Sequence, residues 1–280
     1  QDSKPVSTPG EMECRNEDEE NSKPLDEQQA TKYRALAARA NYLAGDRTDI
    51  MYAVKEVCRH MASPTVGAWK KLKRLGRYLK GNARLAMKYP WQGEEKMIVG
   101  FSDSDWAGCR VTGKATSGGA LTIGSHMIKA WSRTQNNVTL SSAEAELYAM
   151  VKNTAELMGI KSMMKDWGRD KSGTLYADST AALGIAKRKG AGKMRHININ
   201  TLWIQGVQDS ENVEFQKVLG TENPADLMTK YLTRDTINKH MLTMGQEIRE
   251  GRAEKGLEMQ GTHGGSCRWG QCPSPRRVGI

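Results

Sequence analysis

Beyond Pro90 the sequence alternates short apolar runs with helical periods, and the order of these stretches limits the architecture more than any other feature. Met97-Ile-Val-Gly-Phe101 is an apolar run suited to a buried strand. Residues 118–123 and 126–132 supply two more, joined across Gly124-Ser125, which signals a hairpin. A long helix is expected next. Ser141-Ser-Ala-Glu144 matches a capping box, and Leu147, Met150, Val151, Thr154 and Met158 then recur at helical spacing. Thr174–Ala177 reads as a fourth strand, Ser179–Lys187 as a short helix, His196–Val207 as a further helix and Val213–Leu219 as a fifth strand. Asn223-Pro224 opens a last helix. This order predicts an α/β fold with one mixed five-stranded sheet flanked by helices.

The flanks differ in composition. Residues 1–29 are rich in Pro, Ser, Glu and Asp and nearly free of large apolar residues, so they read as a disordered linker. Residues 30–83 read as a small helical segment. Its first helix carries Tyr33, Leu36, Ala37, Ala40 and Leu43 at three- and four-residue spacing, and its second, Asp49 to Met61, carries Ile50, Val54, Val57 and Met61. A third starts at Ser63-Pro64 and ends before Gly81. It holds Lys70, Lys71, Lys73, Arg74, Arg77 and Lys80, either an ordinary solvated face or a set of phosphate contacts. Residues 233–280 are expected to form one amphipathic helix and a disordered basic tail.

The chain opens with Gln rather than Met, as a fragment or processed product would, and shows no secretory signal. The formal charge of +10 favours a polyanion, chiefly nucleic acid, over solubility alone. No apolar run approaches the roughly 18–20 residues of a membrane helix, so no membrane partner is expected. Cys14, Cys58, Cys109, Cys267 and Cys272 are odd in number and irregular in spacing, which fits a reducing compartment better than a disulfide framework. His263, Cys267 and Cys272 lack the fourth ligand and the paired spacing of a structural zinc site.

The chemistry is carried by carboxylates at element ends. Asp103 ends the first strand in Phe101-Ser-Asp-Ser-Asp-Trp-Ala-Gly108, and Glu146 lies in the first turns of the long helix. Asp178 ends the fourth strand, and Asp226 opens the helix after the fifth. Each alone reads as a cap or turn residue. Together they can converge on one sheet edge, where they repel unless a cation neutralises them. Hard oxygen ligands select Mg2+ or Mn2+, and two such ions suit in-line phosphodiester attack, one activating water and the other stabilising the leaving oxygen. Asp105 leaves the same strand face as Asp103 but precedes Trp106 and Gly108, where the chain turns, and so is an accessory candidate at most.

The order and wording of these segments resemble the ribonuclease H domain of copia-type retrotransposons. FSDSDWAG at 101–108 resembles that family's first catalytic strand, with ATSGG at 115–119 as its sequel. SSAEAELYA at 141–149 resembles the helix bearing the catalytic Glu, and YADSTAAL the strand bearing the second Asp. RHI at 195–197 and NPADLMTK at 223–230 resemble its closing elements. The segment from Tyr33 to Gly81 resembles the end of the reverse transcriptase that precedes this domain, so the resemblance spans about Lys23 to Leu232.

The resemblance implies a ribonuclease H-like domain at 95–232, preceded at 30–83 by a thumb- or connection-like part. It implies a metal-binding, catalytic set of Asp103, Glu146, Asp178 and Asp226, two Mg2+ or Mn2+ ions and an RNA–DNA hybrid substrate. It implies as partner the rest of a Pol polyprotein, including its reverse transcriptase, and the expected setting is intracellular, in a cytoplasmic virus-like particle, with a nuclear stage allowed. Lys70, Lys71, Lys73, Arg74, Arg77, Lys187, Arg188, Lys189, Lys193 and Arg195 are candidates for phosphate contact. His196 either assists proton transfer or product release, or packs at a helix start. After RHI the family usually continues with Asp, a branched residue and Arg, where this chain has Asn198, Ile199 and Asn200. No Tyr-x-Asp-Asp occurs, so the chain is not expected to synthesise DNA by itself. Two other readings are a catalytically silent nucleic-acid-binding remnant and an integrase-like nuclease. The latter needs its Glu last, whereas here Glu146 precedes Asp178.

Overall fold

The computed structural model describes residues 3–12, 19–109, 111–190, 192, 196–197, 201–211 and 213–251. In chain order the elements are α1 (Glu19–Ser22), α2 (Glu27–Ala44), α3 (Thr48–Cys58), α4 (Val66–Gly81), β1 (Arg84–Met87), β2 (Met97–Asp105), β3 (Thr116–Ile123), β4 (His126–Thr134), α5 (Ser142–Asp166), β5 (Ser172–Ala177), α6 (Thr180–Lys187), α7 (Ile204–Glu211), β6 (Val213–Lys217), a 3-10 helix at Pro224–Met228, α8 (Arg234–Thr243) and β7 (Gln246–Arg249). Residues 1–250 gather into one unit and 251–280 into another, of which only Gly251 is described.

The apolar run at 97–101 continues to Asp105 because it is the central strand of a five-stranded sheet, ordered β4-β3-β2-β5-β6. Strands β2, β3 and β4 are antiparallel, joined by the hairpin at Gly124, whose φ is +57°. β5 lies parallel to β2, and β6 parallel to β5. The sheet is mixed and five-stranded as the sequence predicts.

Alternation sends neighbouring side chains of each strand to opposite faces, so the sheet carries two cores. On one face Ile98, Leu121, Leu175, Val213 and Phe215 pack with Leu147, Met150 and Leu157 of α5 and with α6 and α7. On the other, Ala120 and Met127 pack with Ala225, Leu227 and Met228 of the 3-10 helix and with Ile237 and Met241 of α8. Met51 of α3 joins this second core, which is how the helical segment meets the sheet.

Several expectations shift. The buried face of α2 is Ala30, Tyr33, Ala37, Ala40 and Ala44, leaving Leu36 and Leu43 outside, because small residues let α3 and α4 approach closely. α4 begins after Thr65, whose side chain accepts the Ala68 N–H, rather than at Ser63-Pro64. The helix expected over His196–Val207 starts at Ile204, and His196 and Ile197 lie in a turn and a bend. The last helix before residue 230 is 3-10, with Asn223 capping it. A two-stranded ladder, β1 with β7, is absent from the sequence reading. Residues 3–12, read as linker, lie along α4: Arg74 pairs with Glu11 and donates to Thr8, Arg77 donates to the Lys4 carbonyl, and Pro9 is buried.

Among the described residues no helix is long and apolar enough to cross a membrane.

Candidate metal centre

Asp103, Glu146 and Asp178 reach one point from three elements. Asp103 projects from β2 two residues beyond Phe101 and is 2% exposed. Glu146 stands in the second turn of α5, whose start is fixed by Ser141 accepting the Glu144 N–H, and it is 7% exposed. Asp178 follows the last residue of β5 and is half-buried. The strand pairing explains the convergence, since β2 and β5 are adjacent and parallel and so deliver their carboxyl ends to the same edge. Each of the three offers a carboxylate oxygen within 4.8 Å of the other two.

Asp226 arrives from the opposite core. Its 3-10 helix lies directly over Gly118, the partner of Asp103 on β3: a Cβ there would meet Met228 Cβ and Thr229 Cγ2 at 2.7 Å. Asn223 fastens the same helix to the sheet. Parallel pairing of β2 with β5 stops at Ser102 and Ala177, and the Asn223 amide donates to the Ser102 carbonyl at 2.9 Å. Asp226 nevertheless falls outside the three-carboxylate group. Lys230 places its Nζ 2.8 Å from Asp226 Oδ1 and 3.8 Å from Asp103 Oδ2, and the Thr229 hydroxyl donates to Asp103 Oδ2.

The electrostatics follow from burial. Burial and the nearby Asp103 and Asp178 push Glu146 up to about 9. Burial pushes Asp103 up to about 7, with Asp226 and Asp178 adding to it and Lys230 and Thr229 opposing. Asp178 is raised by burial and by Asp226. Burial alone would lower Lys230, but Asp103, Asp226 and Asp178 hold its ammonium above the usual lysine value.

These residues fit a divalent cation. Glu146 Oε1 accepts the Ser104 N–H at 3.1 Å, while Oε2 is buried with no hydrogen-bond partner. An unsatisfied carboxylate oxygen beside two more carboxylates is costly without a cation and matches the hard oxygen donor set of Mg2+ or Mn2+.

The remaining candidates fall elsewhere. Asp105 caps its own turn, accepting the Gly108 N–H at 2.9 Å. Burial raises the carboxyl of Asp105 above its ordinary value, against the lowering effects of the Gly108 N–H and of Lys55 on α3, which also donates to Thr116. His196 Nε2 lies 3.1 Å from Oε2 of Glu144, which also accepts the Leu140 N–H. His196 thus ties its turn to the start of α5 without joining the carboxylate group. On α4, Arg74 and Arg77 are engaged by residues 3–12, Lys70 donates to Asn21 Oδ1, and Lys73 lies over the Trp69 ring, 5.9 Å from its centroid. Lys187 and Lys189 are exposed and Arg188 is half-buried at the end of α6. Lys193 and Arg195 lie outside the described residues, as does the tail with His263, Cys267 and Cys272. The sequence reading gives Asn223 only the role of a helix start and gives Thr229 and Lys230 none; the four-residue step from Asp226 to Lys230 is the available signal for the lysine.

Topology and site together define a mixed five-stranded sheet flanked by helices, with an acidic edge. No protein-family model matches the chain. It is 31% identical over 207 residues to the "Retrovirus-related Pol polyprotein from transposon RE2" of Arabidopsis thaliana, covering 73% of this chain and 14% of that protein. It is 30% identical over 220 residues to the corresponding polyprotein of transposon RE1 from the same plant, covering 77% of this chain and 15% of that one. Among solved structures, LC11-RNase H1 isolated from compost shares 16% identity with a TM-score of 0.39, covering 52% of this chain and 99% of that one. The chain belongs to the retrovirus-related Pol polyproteins of transposons, and spans about a seventh of the length of the curated relatives it matches.

Proposed function

We propose that this chain is an endonuclease that hydrolyses the RNA strand of RNA–DNA hybrids by two-metal-ion catalysis, as the ribonuclease H part of a retrotransposon polyprotein. The observation that carries the reading is the buried group of Asp103, Glu146 and Asp178 with an unsatisfied Glu146 oxygen. Membership of the Pol family supplies the substrate class, since copying an RNA template leaves an RNA–DNA hybrid.

Asp103, Glu146 and Asp178 would hold the cations, with Asp226 beside them. Bound there, divalent ions supply activation of a water and stabilisation of the leaving oxygen. The protein's part is positioning. The Ser104 N–H fixes one Glu146 oxygen and leaves the other free, and Thr229 holds one oxygen of Asp103. Asn223 and Gly118 keep the 3-10 helix seated against β2 and β3. Burial weakens solvent competition for the carboxylates.

The test is cleavage of a labelled hybrid by the full chain in Mg2+, with single-stranded RNA and chelator as controls. Hybrid-specific, chelator-sensitive cleavage is expected. Equal cleavage of single-stranded RNA, full activity in chelator, or hybrid binding without cleavage would each refute the reading.

A further inference from the structure

Asp226 is the one carboxylate of the four expected from the sequence that the three-carboxylate group leaves out, and a lysine stands beside it. Its Oδ1 is 2.8 Å from the Lys230 ammonium, which also faces Asp103 Oδ2 at 3.8 Å. Asp226 is 8% exposed, and so is a carboxylate that burial makes costly to leave unpaired. The lysine side chain, by contrast, is 46% exposed. A flexible four-carbon stem with nearly half its surface in water can swing to solvent without unpacking a core. Its neighbour Thr229 is fully buried and bonded to Asp103, so the backbone at 229–230 is anchored while the ion-paired Lys230 side chain keeps 46% of its surface in solvent. A second lysine in the neighbourhood, Lys217, is engaged with Thr180 Oγ1 at 2.7 Å.

Resting on the metal-centre reading above, we propose that Lys230 is a positioning residue that acts as a built-in cation of the acidic edge. It occupies Asp226 in competition with a divalent ion, so one ion binds strongly through Asp103, Glu146 and Asp178 while a second, which needs Asp226, binds weakly until Lys230 withdraws. The chain's own charge thereby sets the difference in affinity between the two ions. The ammonium also offsets the mutual repulsion of Asp103 and Asp226 when no ion is present, which lets the acidic edge fold before it is loaded.

The experiment is a calorimetric titration of the full chain with Mn2+ alone, without nucleic acid, paired with thermal melting in chelator and in Mn2+. Wild type is expected to show one strong and one weak site. Lys230→Met should tighten the weak site at least tenfold, lower the melting temperature in chelator, and recover it with Mn2+. Lys230→Arg, which keeps the charge, should behave as wild type in both measurements. In Asp226→Asn, adding Lys230→Met should produce no further tightening. A wild-type isotherm with both sites that Lys230→Met leaves unchanged overturns the role of Lys230 and leaves the metal centre standing. Absence of saturable Mn2+ binding in wild type overturns the metal centre and this role with it.

Discussion

Replacing Glu146 by Gln should stabilise the metal-free protein at alkaline pH while abolishing its response to divalent ions. The buried carboxyl sits at about 9 in the fold against an ordinary value of 4.5. A group raised by folding contributes stability that is complete below its unfolded value and lost as pH rises through the folded value. At pH 8 the folded protein still holds this proton and the unfolded chain has released it. At about 1.4 kcal/mol per pH unit, the interval from 4.5 to 8 sets an upper bound of about 5 kcal/mol on the cost. Asp103 and Asp178 share that cost through their own repulsion, so a gain of about 2–3 kcal/mol is expected for Gln, which has the shape of the protonated acid but needs no proton. For a chain of this size the gain corresponds to roughly 5–10 °C in melting temperature. The assay is thermal denaturation of both proteins in chelator at pH 5 and pH 8, repeated with excess Mg2+. At pH 5 the two should melt together, within a degree or two. At pH 8 the variant should melt higher in chelator, and Mg2+ should raise wild type but not the variant. A variant that melts at or below wild type at pH 8 in chelator, or gains equally at both pH values, refutes the reasoning.

Asp103→Asn should lower hybrid cleavage by about a thousandfold and Asp105→Asn by about tenfold, measured as single-turnover rates; equal losses in two folded variants would show that the turn residue also touches the reacting groups. Gly118→Ala should cost about 1–3 kcal/mol in urea denaturation and reduce cleavage, because its Cβ would push against Met228 and Thr229; an unaltered melting curve would refute the close seating of the 3-10 helix. Thr229→Val should cost about 1–2 kcal/mol, since it strips a hydrogen bond from a buried carboxylate, and no loss at pH 8 in chelator would count against it. His196→Ala should leave turnover near normal and lower the melting temperature by a few degrees at most; a large fall in turnover with unchanged melting would move His196 into the chemistry.

The sheet was legible because its signals are local. Met97–Phe101, the Gly124 turn and the Ser141 cap each act within a few residues, and order alone then selects a mixed sheet. Three of the four carboxylates meet as expected, because strand ends and a capped helix fix where their side chains emerge. What escaped depends on packing across long separations. That α2 buries alanines rather than Leu36 and Leu43 is decided by how closely α3 and α4 approach. The capture of Asp226 by Lys230 needs the helix direction at 224–230, and pairing of β1 with β7 joins residues some 160 positions apart, a distance no periodicity reports. The basic face of α4 reads the same whether it meets phosphate or Glu11 and Thr8.

The ladder between β1 and β7 also bears on where the folded unit ends. Arg84–Met87 precedes the five-stranded sheet and Gln246–Arg249 follows it, and their register, Leu85 opposite Ile248, clasps the two ends of the intervening chain. Between them α8 lays Ile237 and Met241 against the sheet face that carries the Asp226 helix. A cut at residue 232, where the motifs end, would strip those side chains from Met228 and expose the core beneath the acidic edge. The folded unit therefore extends to Arg249, and it is closed by a clasp that contains none of the carboxylates.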